Sequence, residues 1–404
     1  MKGMCVFACS FALAIGTLFG ADDPILIVIG TRPEAIKLLP LYEALKNEQL
    51  PVQICSTGQH TNLVEEIYPL FGVKPSFELK VMKEKQDLFY LTQILLEKTK
   101  DLFQEVHPSL VIVQGDTTSA FVAALSAFYL KIPVVHVEAG LRTYNCYAPF
   151  PEEINRQLIS KIAALHFAPT LVAKDALKAE GISANSIFLT GNTGIDALFF
   201  IKNRLANQEI FPSSFLKDRL DSLKKDGKKI FLLTAHRRES LEKDLAICLT
   251  AIKEFLLLHP DVAILYPVHS NPAIHQVIET VGLENLKNIF LLPPLPYQDL
   301  VYLLSEADAV LTDSGGIQEE AISLRIPILV LRNETDRPEG LEVGIAKLVG
   351  TNPLLIQKGM EEILTNLQSP SKVNYEKLPY GDGTASPQIA KILKDYLEKL
   401  SRAQ

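Results

Sequence analysis

Three acidic residues follow apolar runs in the first half of the chain, where carboxyl groups can exchange protons with a ligand. Asp116 comes after the run Leu110–Val113, Glu138 comes directly after Val134–Val137, and Glu152 opens a helix-like stretch. Because the carboxyl ends of parallel strands share one sheet edge, we expect these groups to converge and to shift one another's pKa values. Such a set suits general acid–base chemistry. Taken singly, each has a structural alternative, with Asp116 as a helix cap and Glu152 in a helical first turn.

Two strand-to-helix turns have the residue types of an anion site. The first carries Arg32 and Lys37 around the start of a helix, and the second, Ser314–Gly316, offers a hydroxyl and two residues without side chains. N–H groups at a helix start, together with the helix dipole, favour a phosphate. The structural alternatives are a solvated turn in which Arg32 pairs with Glu34, and an ordinary tight turn. Together the two turns predict a cleft that grips one phosphorylated ligand from both sides.

Further polar residues extend the second turn. Glu320 lies just over one helical turn beyond Gly316, where a carboxylate can accept hydrogen bonds from both hydroxyls of a ribose. Arg337 follows the next apolar run. His236 ends the run Phe231–Ala235, and a titratable residue at a strand's carboxyl end is typical of an active edge.

Short apolar runs alternate with helical patterns through most of the chain, which predicts an α/β fold with two Rossmann-like, doubly wound domains facing a cleft. We expect an N-terminal domain over residues 22–192 and a nucleotide-binding domain over 193–379. A terminal helix within 380–404 should pack back on the first domain, because its apolar residues form one stripe. The predicted strands are Ile25–Ile29, Val52–Cys55, Leu110–Val113, Val134–Val137, Leu165–Ala168, Lys229–Thr234, Ala263–Pro267, Asn288–Leu292, Ala309–Leu311 and Ile328–Leu331, and the predicted helices include Asn62–Phe71, Leu88–Val106 and Thr118–Tyr129.

Composition restricts the possible functions of the 404 residues. A net charge of −7 gives no support to nucleic-acid binding. Five scattered cysteines without metal spacing argue against a zinc site and favour a reducing compartment, so we expect a cytoplasmic protein. The absence of the glycine-rich motifs for dinucleotides and for nucleoside triphosphates weakens both ligand classes. Residues 1–21 form an apolar extension: a signal peptide, a membrane anchor through residues 4–20, or a mis-assigned start.

An ordered set of motifs resembles the non-hydrolysing UDP-N-acetylglucosamine 2-epimerase family of bacterial type. The matching stretches are Gly30–Lys37, Gly58–His60, Gly115–Thr118, His136–Thr143, Pro151–Arg156, Thr190–Ala197, Ala235–Ser240, Tyr266–Pro272, Thr312–Glu320, Arg337–Glu339 and Tyr380–Gly383. Any one stretch is weak, whereas the ordered set is specific. The resemblance implies a glycosyltransferase-B type fold and the interconversion of UDP-GlcNAc and UDP-ManNAc without a cofactor or a metal, feeding cell-surface polysaccharide synthesis.

The resemblance also implies a reaction path and residue roles. UDP leaves C1 and a proton leaves C2, giving a 2-acetamidoglucal to which UDP adds back after protonation on the other face. The implied catalytic residues are Asp116, Glu138, Glu152 and His236. The implied substrate-binding residues are Arg32, Lys37, Ser314, Gly315, Gly316, Glu320 and Arg337. We also expect a homodimer.

Some bacterial members of the family have a second, regulatory UDP-GlcNAc site. Gln59, His60, Gln86 and His269 fit that pattern. Lys85 stands where an Arg is expected and Asn62 where a Gln is expected. Because Lys cannot reproduce the bidentate Arg fork, the sequence predicts weakened allosteric activation.

Four alternative functions remain open at this point. The nearest is a 2-epimerase acting on a UDP-2,3-diacetamido uronic acid, and a hydrolysing version would release ManNAc and UDP. A glycosyltransferase of the same architecture is a third, since fold does not fix function. The fourth is a non-catalytic nucleotide-sugar sensor, suggested only by the N-terminal segment.

Overall fold

A computed structural model describes residues 23–60, 62–83, 86–235, 243–335, 337–368 and 378–402. The side chains of Asn62, Leu63 and Gln368 are also outside this description. The apolar extension over residues 1–21, Lys85 and His236 lie outside the described residues, so the predictions made for them are not tested here.

The chain divides into two compact units. One comprises residues 1–197 together with 383–404, and the other comprises 198–382. Each unit contains one parallel sheet flanked by helices, which confirms the predicted pair of α/β domains.

The first unit is a seven-stranded parallel sheet in the order β3-β2-β1-β4-β5-β6-β7. Its strands are β1 (Ile25–Ile29), β2 (Val52–Ser56), β3 (Phe77–Glu78), β4 (Leu110–Gln114), β5 (Val134–Val137), β6 (Leu165–Ala168) and β7 (Ile187–Leu189). Its helices are α1 (Arg32–Asn47), α2 (Asn62–Glu65), α3 (Leu88–Val106), α4 (Thr118–Tyr129), α5 (Glu152–Ile162) and α6 (Leu171–Ala179), and α7 (Thr193–Ala206) spans the division between the units.

The second unit is a six-stranded parallel sheet in the order β10-β9-β8-β11-β12-β13. Its strands are β8 (Lys229–Thr234), β9 (Val262–Pro267), β10 (Ile289–Leu292), β11 (Ala309–Thr312), β12 (Ile328–Val330) and β13 (Ala346–Leu348). Its helices are α8 (Ser214–Lys225), α9 (Lys243–Leu258), α10 (Pro272–Val281), α11 (Tyr297–Glu306), α12 (Gly315–Ser323), α13 (Pro338–Glu342) and α14 (Pro353–Gln368).

Buried apolar strands explain why the sheets form as the sequence predicts. Every residue of β1 and β4 is buried, as expected for parallel strands covered on both faces. In each sheet the order reverses beside a central strand, β1 in the first and β8 in the second. Ligands of doubly wound sheets bind at the carboxyl edge near such reversals, where the candidate residues lie.

Two groups of elements differ from the predictions. The helix predicted over 62–71 is wrong: α2 ends at Glu65, and a separate 3₁₀ turn covers Tyr68–Phe71. Pro69 lacks the N–H that a continuous helix needs, and Gly72 ends the turn with a left-handed φ of 66°. The edge strands β3, β7 and β13 were not predicted, because each has only two or three residues and little periodicity.

The last helix, α15 (Ala385–Arg402), belongs to the first unit and packs against α1. The Asp196 carboxylate accepts hydrogen bonds from the N–H groups of Ala385 and Ser386, at 3.3 and 2.6 Å, and so satisfies donors at the start of this helix. Among the described residues, no helix combines the length and the apolar character needed to cross a bilayer.

Candidate active site

The turn that carries Asp116 is held by side chains from separate elements. The Arg156 guanidinium lies 2.5 Å from the Asp116 carboxylate, and the Asn155 amide donates to the Asp116 carbonyl at 2.9 Å. His136 donates from Nε2 to the Gly115 carbonyl at 2.8 Å, and burial lowers its pKa to about 3, so the ring is neutral. The alternative in which Asp116 caps α4 is wrong, because Thr117 is the N-cap and its hydroxyl accepts from the Ala120 N–H. The Asp116 carboxylate is therefore available for chemistry beside one arginine.

Glu138 is buried directly after β5 and contacts two donors. Its Oε2 contacts Lys37 Nζ and accepts a hydrogen bond of 2.7 Å from the Gln114 amide. The backbone of Glu138 has a φ of 61°, in the left-handed region that non-glycine residues rarely adopt. The contacts with Lys37 and Gln114 hold this predicted acid beside a predicted cation, and strained backbone of this kind recurs at functional sites.

The neighbouring residues Glu152 and Glu153 have different surroundings in the first turn of α5. Glu153 is fully buried and accepts from the N–H groups of Thr143 and Tyr144, at 3.0 and 3.1 Å. Burial favours its neutral form, but these bonds, Gln157 and the nearby arginine hold the pKa of Glu153 below its ordinary value. Glu153 therefore organises the preceding loop, whereas Glu152 is only half-buried and remains a candidate for proton transfer.

Burial raises the pKa of two of the predicted acids. For Asp116, desolvation is the largest cause, the Arg156 charge opposes it, and the Glu138 charge raises the pKa further. For Glu152, desolvation is again the largest cause, and the Asp116 charge adds to it. Asp116 is therefore within electrostatic reach of both Glu138 and Glu152. Raised carboxyl pKa values bring the groups closer to neutral pH, where proton transfer in both directions is efficient.

The first strand-to-helix turn is occupied by Glu34. This fully buried carboxylate accepts from the N–H groups of Gly30 and Thr31, at 2.9 and 2.6 Å, and from the Thr31 and Thr117 hydroxyls, at 2.9 and 2.8 Å. The expectation that N–H groups of this turn face a ligand is therefore wrong for Gly30 and Thr31. The alternative in which Arg32 pairs with Glu34 is also wrong, because Arg32 Nε lies 3.1 Å from a Glu66 carboxylate oxygen.

The second turn places a cation beside a glycine-rich helix start. Ser314 is the N-cap of α12, and the first N–H groups of that helix have no acceptor within it. A Cβ built on Gly315 would lie 3.5 Å from Arg337 Cζ, so the guanidinium lies directly beside this turn. Arg337 Nε donates to the buried Glu319 carboxylate, which fixes its position. A guanidinium next to a helix N-terminus can bind a diphosphate.

Glu320 is half-buried one turn further along α12. Its Oε1 accepts a hydrogen bond of 3.1 Å from the hydroxyl of Tyr297, the first residue of α11. A carboxylate held in this way keeps acceptor capacity for a ribose.

The four predicted regulatory residues have separate environments. Gln59 Oε1 accepts from the Ser119 N–H and hydroxyl, at 3.2 and 2.7 Å. His60 is exposed, and its N–H donates to the Gly30 carbonyl at 3.0 Å. Gln86 accepts from the Lys83 N–H, and His269, in the second unit, accepts from the Asn271 N–H at 3.1 Å. A cavity of about 700 Å³ lies beside this part of the first unit, lined by Ser56, Gly58, Tyr68, Lys80 and Met82 among others.

Several residues that shape the site were not predicted. The role of Glu34 in this turn could have been predicted, since Thr31 and Glu34 have the spacing of a capping box, which the structure contains. Arg156 and Glu319 act through partners distant in sequence, and no local pattern identifies them.

Among the described residues, no group of three His, Cys, Asp or Glu side chains is placed to hold a metal ion.

Comparisons with known proteins identify relatives over most of the chain. The family profile described as UDP-N-acetylglucosamine 2-epimerase matches residues 43–394. The UDP-N-acetylglucosamine 2-epimerase of Campylobacter jejuni is 44% identical over 372 residues, covering 91% of this chain and 97% of that protein. The crystal structure of UDP-GlcNAc 2-epimerase from Neisseria meningitidis bound to UDP-GlcNAc has a TM-score of 0.83 and 38% identity, covering 92% of this chain and 100% of that one.

A more distant structure has the same fold. The glycotransferase of kitacinnamycin has a TM-score of 0.62 at 12% identity, covering 94% of this chain and 100% of that one. This likeness supports the glycosyltransferase-B type architecture and nothing about the reaction.

Proposed function

Because the chain belongs to the UDP-N-acetylglucosamine 2-epimerase family, we propose that it interconverts UDP-GlcNAc and UDP-ManNAc by inverting C2 of the sugar. The observation that carries this proposal is the cluster of Asp116, Glu138 and Glu152 at the carboxyl edge of the first sheet. Inversion requires a proton to leave one face of C2 and to return to the other, so more than one acid–base group is needed.

We assign the reaction to elimination followed by re-addition. The C2 proton passes to a carboxylate, the C–H electrons form the C1–C2 double bond, and the C1–O bond breaks to release UDP. The products of this half-reaction are 2-acetamidoglucal and UDP. Protonation of C2 on the opposite face and attack of the UDP oxygen on C1 complete the cycle, which consumes no cofactor.

Asp116, Glu138 and Glu152 are the proposed proton-transfer groups. The raised pKa values of Asp116 and Glu152 support donation as well as acceptance of a proton near neutral pH. The Lys37 ammonium beside Glu138 supports a second role, because a cation there also stabilises negative charge on the departing diphosphate. We keep His236 as a fourth catalytic residue from its match to the family motif.

We assign UDP binding to the second unit. Arg337 beside Gly315 supports binding of the diphosphate, with Ser314 and Gly316 contributing to the same turn. Glu320, oriented by Tyr297, supports recognition of the ribose hydroxyls. Arg32 remains a proposed substrate-binding cation from its match to the family motif. The regulatory set of Gln59, His60, Gln86 and His269 remains a proposal, with weakened activation because of Lys85 and Asn62.

We also propose a cytoplasmic homodimer. Cys55, Cys146 and Cys248 are free thiols, which supports a reducing compartment. The end of α4 exposes the adjacent rings of Phe128 and Tyr129, apolar surface of the kind that a partner subunit covers. Light scattering of the purified chain gives its mass in solution and tests this assembly.

The test of the proposed function is proton NMR of the full chain incubated with UDP-GlcNAc, without added NAD or metal. We expect UDP-ManNAc to appear, and the same ratio of sugars to be reached from UDP-ManNAc. Free ManNAc with UDP would indicate the hydrolysing reaction instead. Binding of UDP-GlcNAc without conversion would contradict the proposal and would direct the assay to UDP-2,3-diacetamido uronic acids, and then to the sensor function.

A further inference from the structure

Glu34 is a fully buried carboxylate at the active edge that the proposed reaction does not use. We propose that Glu34 is a positioning residue that locks the turn carrying Asp116 against the turn carrying Arg32, and so sets the geometry for proton transfer. This inference rests on the proposed function for its effect on turnover, but the lock itself can be measured without turnover.

The lock consists of two carboxylate oxygens that bind different turns. Glu34 Oε2 accepts from the Gly30 N–H, the Thr31 N–H and the Thr31 hydroxyl, all within the β1–α1 turn. Glu34 Oε1 accepts from the hydroxyl of Thr117, the residue after Asp116, at 2.8 Å. One side chain therefore connects the first turn of α1 to the turn between β4 and α4.

Close packing of the same two turns supports the lock. A Cβ on Gly30 would lie 2.4 Å from Ser119 Oγ, so the β1–α1 turn approaches α4 as closely as only glycine permits. The Ser119 hydroxyl also lies 2.9 Å from the Thr57 hydroxyl. Glu34 thus bridges two turns that are already in contact, and its hydrogen bonds fix the position of one turn relative to the other.

The bridge matters for chemistry because the two turns carry different groups. The β1–α1 turn begins the helix that carries Lys37, which contacts Glu138. The β4–α4 turn carries Asp116, which pairs with Arg156. Displacing reacting groups by about 1 Å can cost about a hundredfold in rate. Loss of the lock should therefore lower kcat, while KM changes much less, because most of the proposed UDP contacts are assigned to the second unit and only Arg32 lies on the locked turn.

Thr117→Val is the sharpest test, because it removes one donor to Glu34 and leaves the buried carboxyl group itself in place. The substitution keeps the shape of the side chain but removes the hydroxyl that donates to Glu34 and accepts from the Ala120 N–H. Thr170→Val is the matched control: Thr170 is also an N-cap whose hydroxyl accepts a helix N–H, that of Ala173 at 3.2 Å, but it is not bonded to Glu34. Thr117→Ser retains the hydroxyl and should therefore retain the kcat of the wild type.

We expect both valine variants to lower the melting temperature by a few degrees, as loss of an N-cap does. Only Thr117→Val should lower kcat, by about tenfold, with KM within about twofold of the wild-type value. Thr117→Ser and Thr170→Val should keep kcat within about twofold. Equal kcat values for Thr117→Val and Thr170→Val in an active wild-type background would overturn the positioning role and leave the proposed function intact.

A second readout is independent of catalysis. The carboxyl carbon signal of Asp116 in ¹³C-aspartate-labelled protein, assigned by its loss in Asp116→Asn, reports the titration of that group. The charged groups that act on Asp116 are Arg156, Glu138, Lys37 and Glu152. Because burial is the largest cause of its raised pKa, a loosened turn should admit water and move the midpoint towards the ordinary value. We expect this shift in Thr117→Val and not in Thr170→Val. If the wild type lacks turnover, the proposed function fails, and this titration alone decides whether the lock exists.

Discussion

The two strand-to-helix turns at the sheet edges look alike in sequence but have opposite surroundings in the structure. After β1, the buried Glu34 carboxylate occupies the N–H groups of the turn and connects it to Thr117. After β11, the helix start carries no acidic residue, and Arg337 lies beside Gly315. The first turn is closed by its own buried carboxyl group, whereas the second is arranged to receive an anion.

This difference supports the proposed roles of the two units, acid–base chemistry in the first and UDP binding in the second. A turn closed by a carboxylate is rigid and electrostatically satisfied, which suits the positioning of acid–base groups. A turn with a helix dipole and a fixed guanidinium suits the binding of a phosphate from solution. We therefore expect substitutions near the first turn to affect turnover or stability, and substitutions near the second to affect UDP affinity.

The largest effect that tests this comparison is expected from a substitution of Asp116. Asp116→Asn should lower kcat by about a thousandfold, because it removes a proton-transfer group, while UDP affinity stays almost unchanged. Steady-state kinetics and calorimetric UDP titration measure the two quantities. Asp101→Asn, an exposed site on α3, is the control and should match the wild type. A large loss of UDP affinity in Asp116→Asn would contradict the proposal that acid–base chemistry belongs to the first unit and UDP binding to the second.

The next effect concerns Glu34, the carboxyl group that closes the first turn. Burial raises the pKa of Glu34 from its ordinary 4.5 to about 7, although its hydrogen bonds oppose the shift. Between these pH values the folded state binds a proton that the unfolded state has lost, so this group's stabilising contribution falls as pH rises. From pH 4.5 to pH 7 the wild type should lose about 3 kcal/mol of unfolding free energy relative to Glu34→Gln. Parallel pH profiles of denaturant unfolding for the two proteins would contradict this.

One glycine in each turn allows the packing of the two turns to be compared. Gly30→Ala should lower the free energy of unfolding by about 2 kcal/mol, since its Cβ would lie 2.4 Å from Ser119 Oγ. Gly316→Ala meets no atom within 4 Å and should be neutral or stabilising by about 0.5 kcal/mol. Denaturant unfolding measures both values. Equal losses in the two variants would show that the turns are not packed differently.

The smallest effect concerns the cation of the second turn. Arg337→Lys keeps the charge but loses the planar fork, so UDP affinity should fall about tenfold, with kcat changed much less. Arg219→Lys, at an exposed arginine of the same unit that packs over Phe290, is the matched control and should leave UDP affinity unchanged. An unchanged UDP affinity in Arg337→Lys would contradict the proposed contact between Arg337 and the diphosphate.

Much of the fold and part of the site could be predicted from the sequence, and the reasons differ by residue. The buried strands before Asp116 and Glu138 have strong apolar patterns, so the strand-end rule located both acids. The different surroundings of Glu152 and Glu153 could not be predicted, because only tertiary contacts bury Glu153 and leave Glu152 half-buried. The Arg156–Asp116 and Arg337–Glu319 pairs join residues on different elements, and no local spacing encodes such partners.

The central claim is that Asp116, Glu138 and Glu152 break and reform the C2–H bond of the bound nucleotide sugar. The most direct measurement is proton NMR of the full chain with UDP-GlcNAc in D2O, following the C2 proton of the remaining substrate. We expect deuterium at C2 in both UDP-GlcNAc and UDP-ManNAc, with exchange much slower in Asp116→Asn. Formation of UDP-ManNAc that retains its C2 proton would contradict the account, because inversion would then proceed without proton exchange with the solvent.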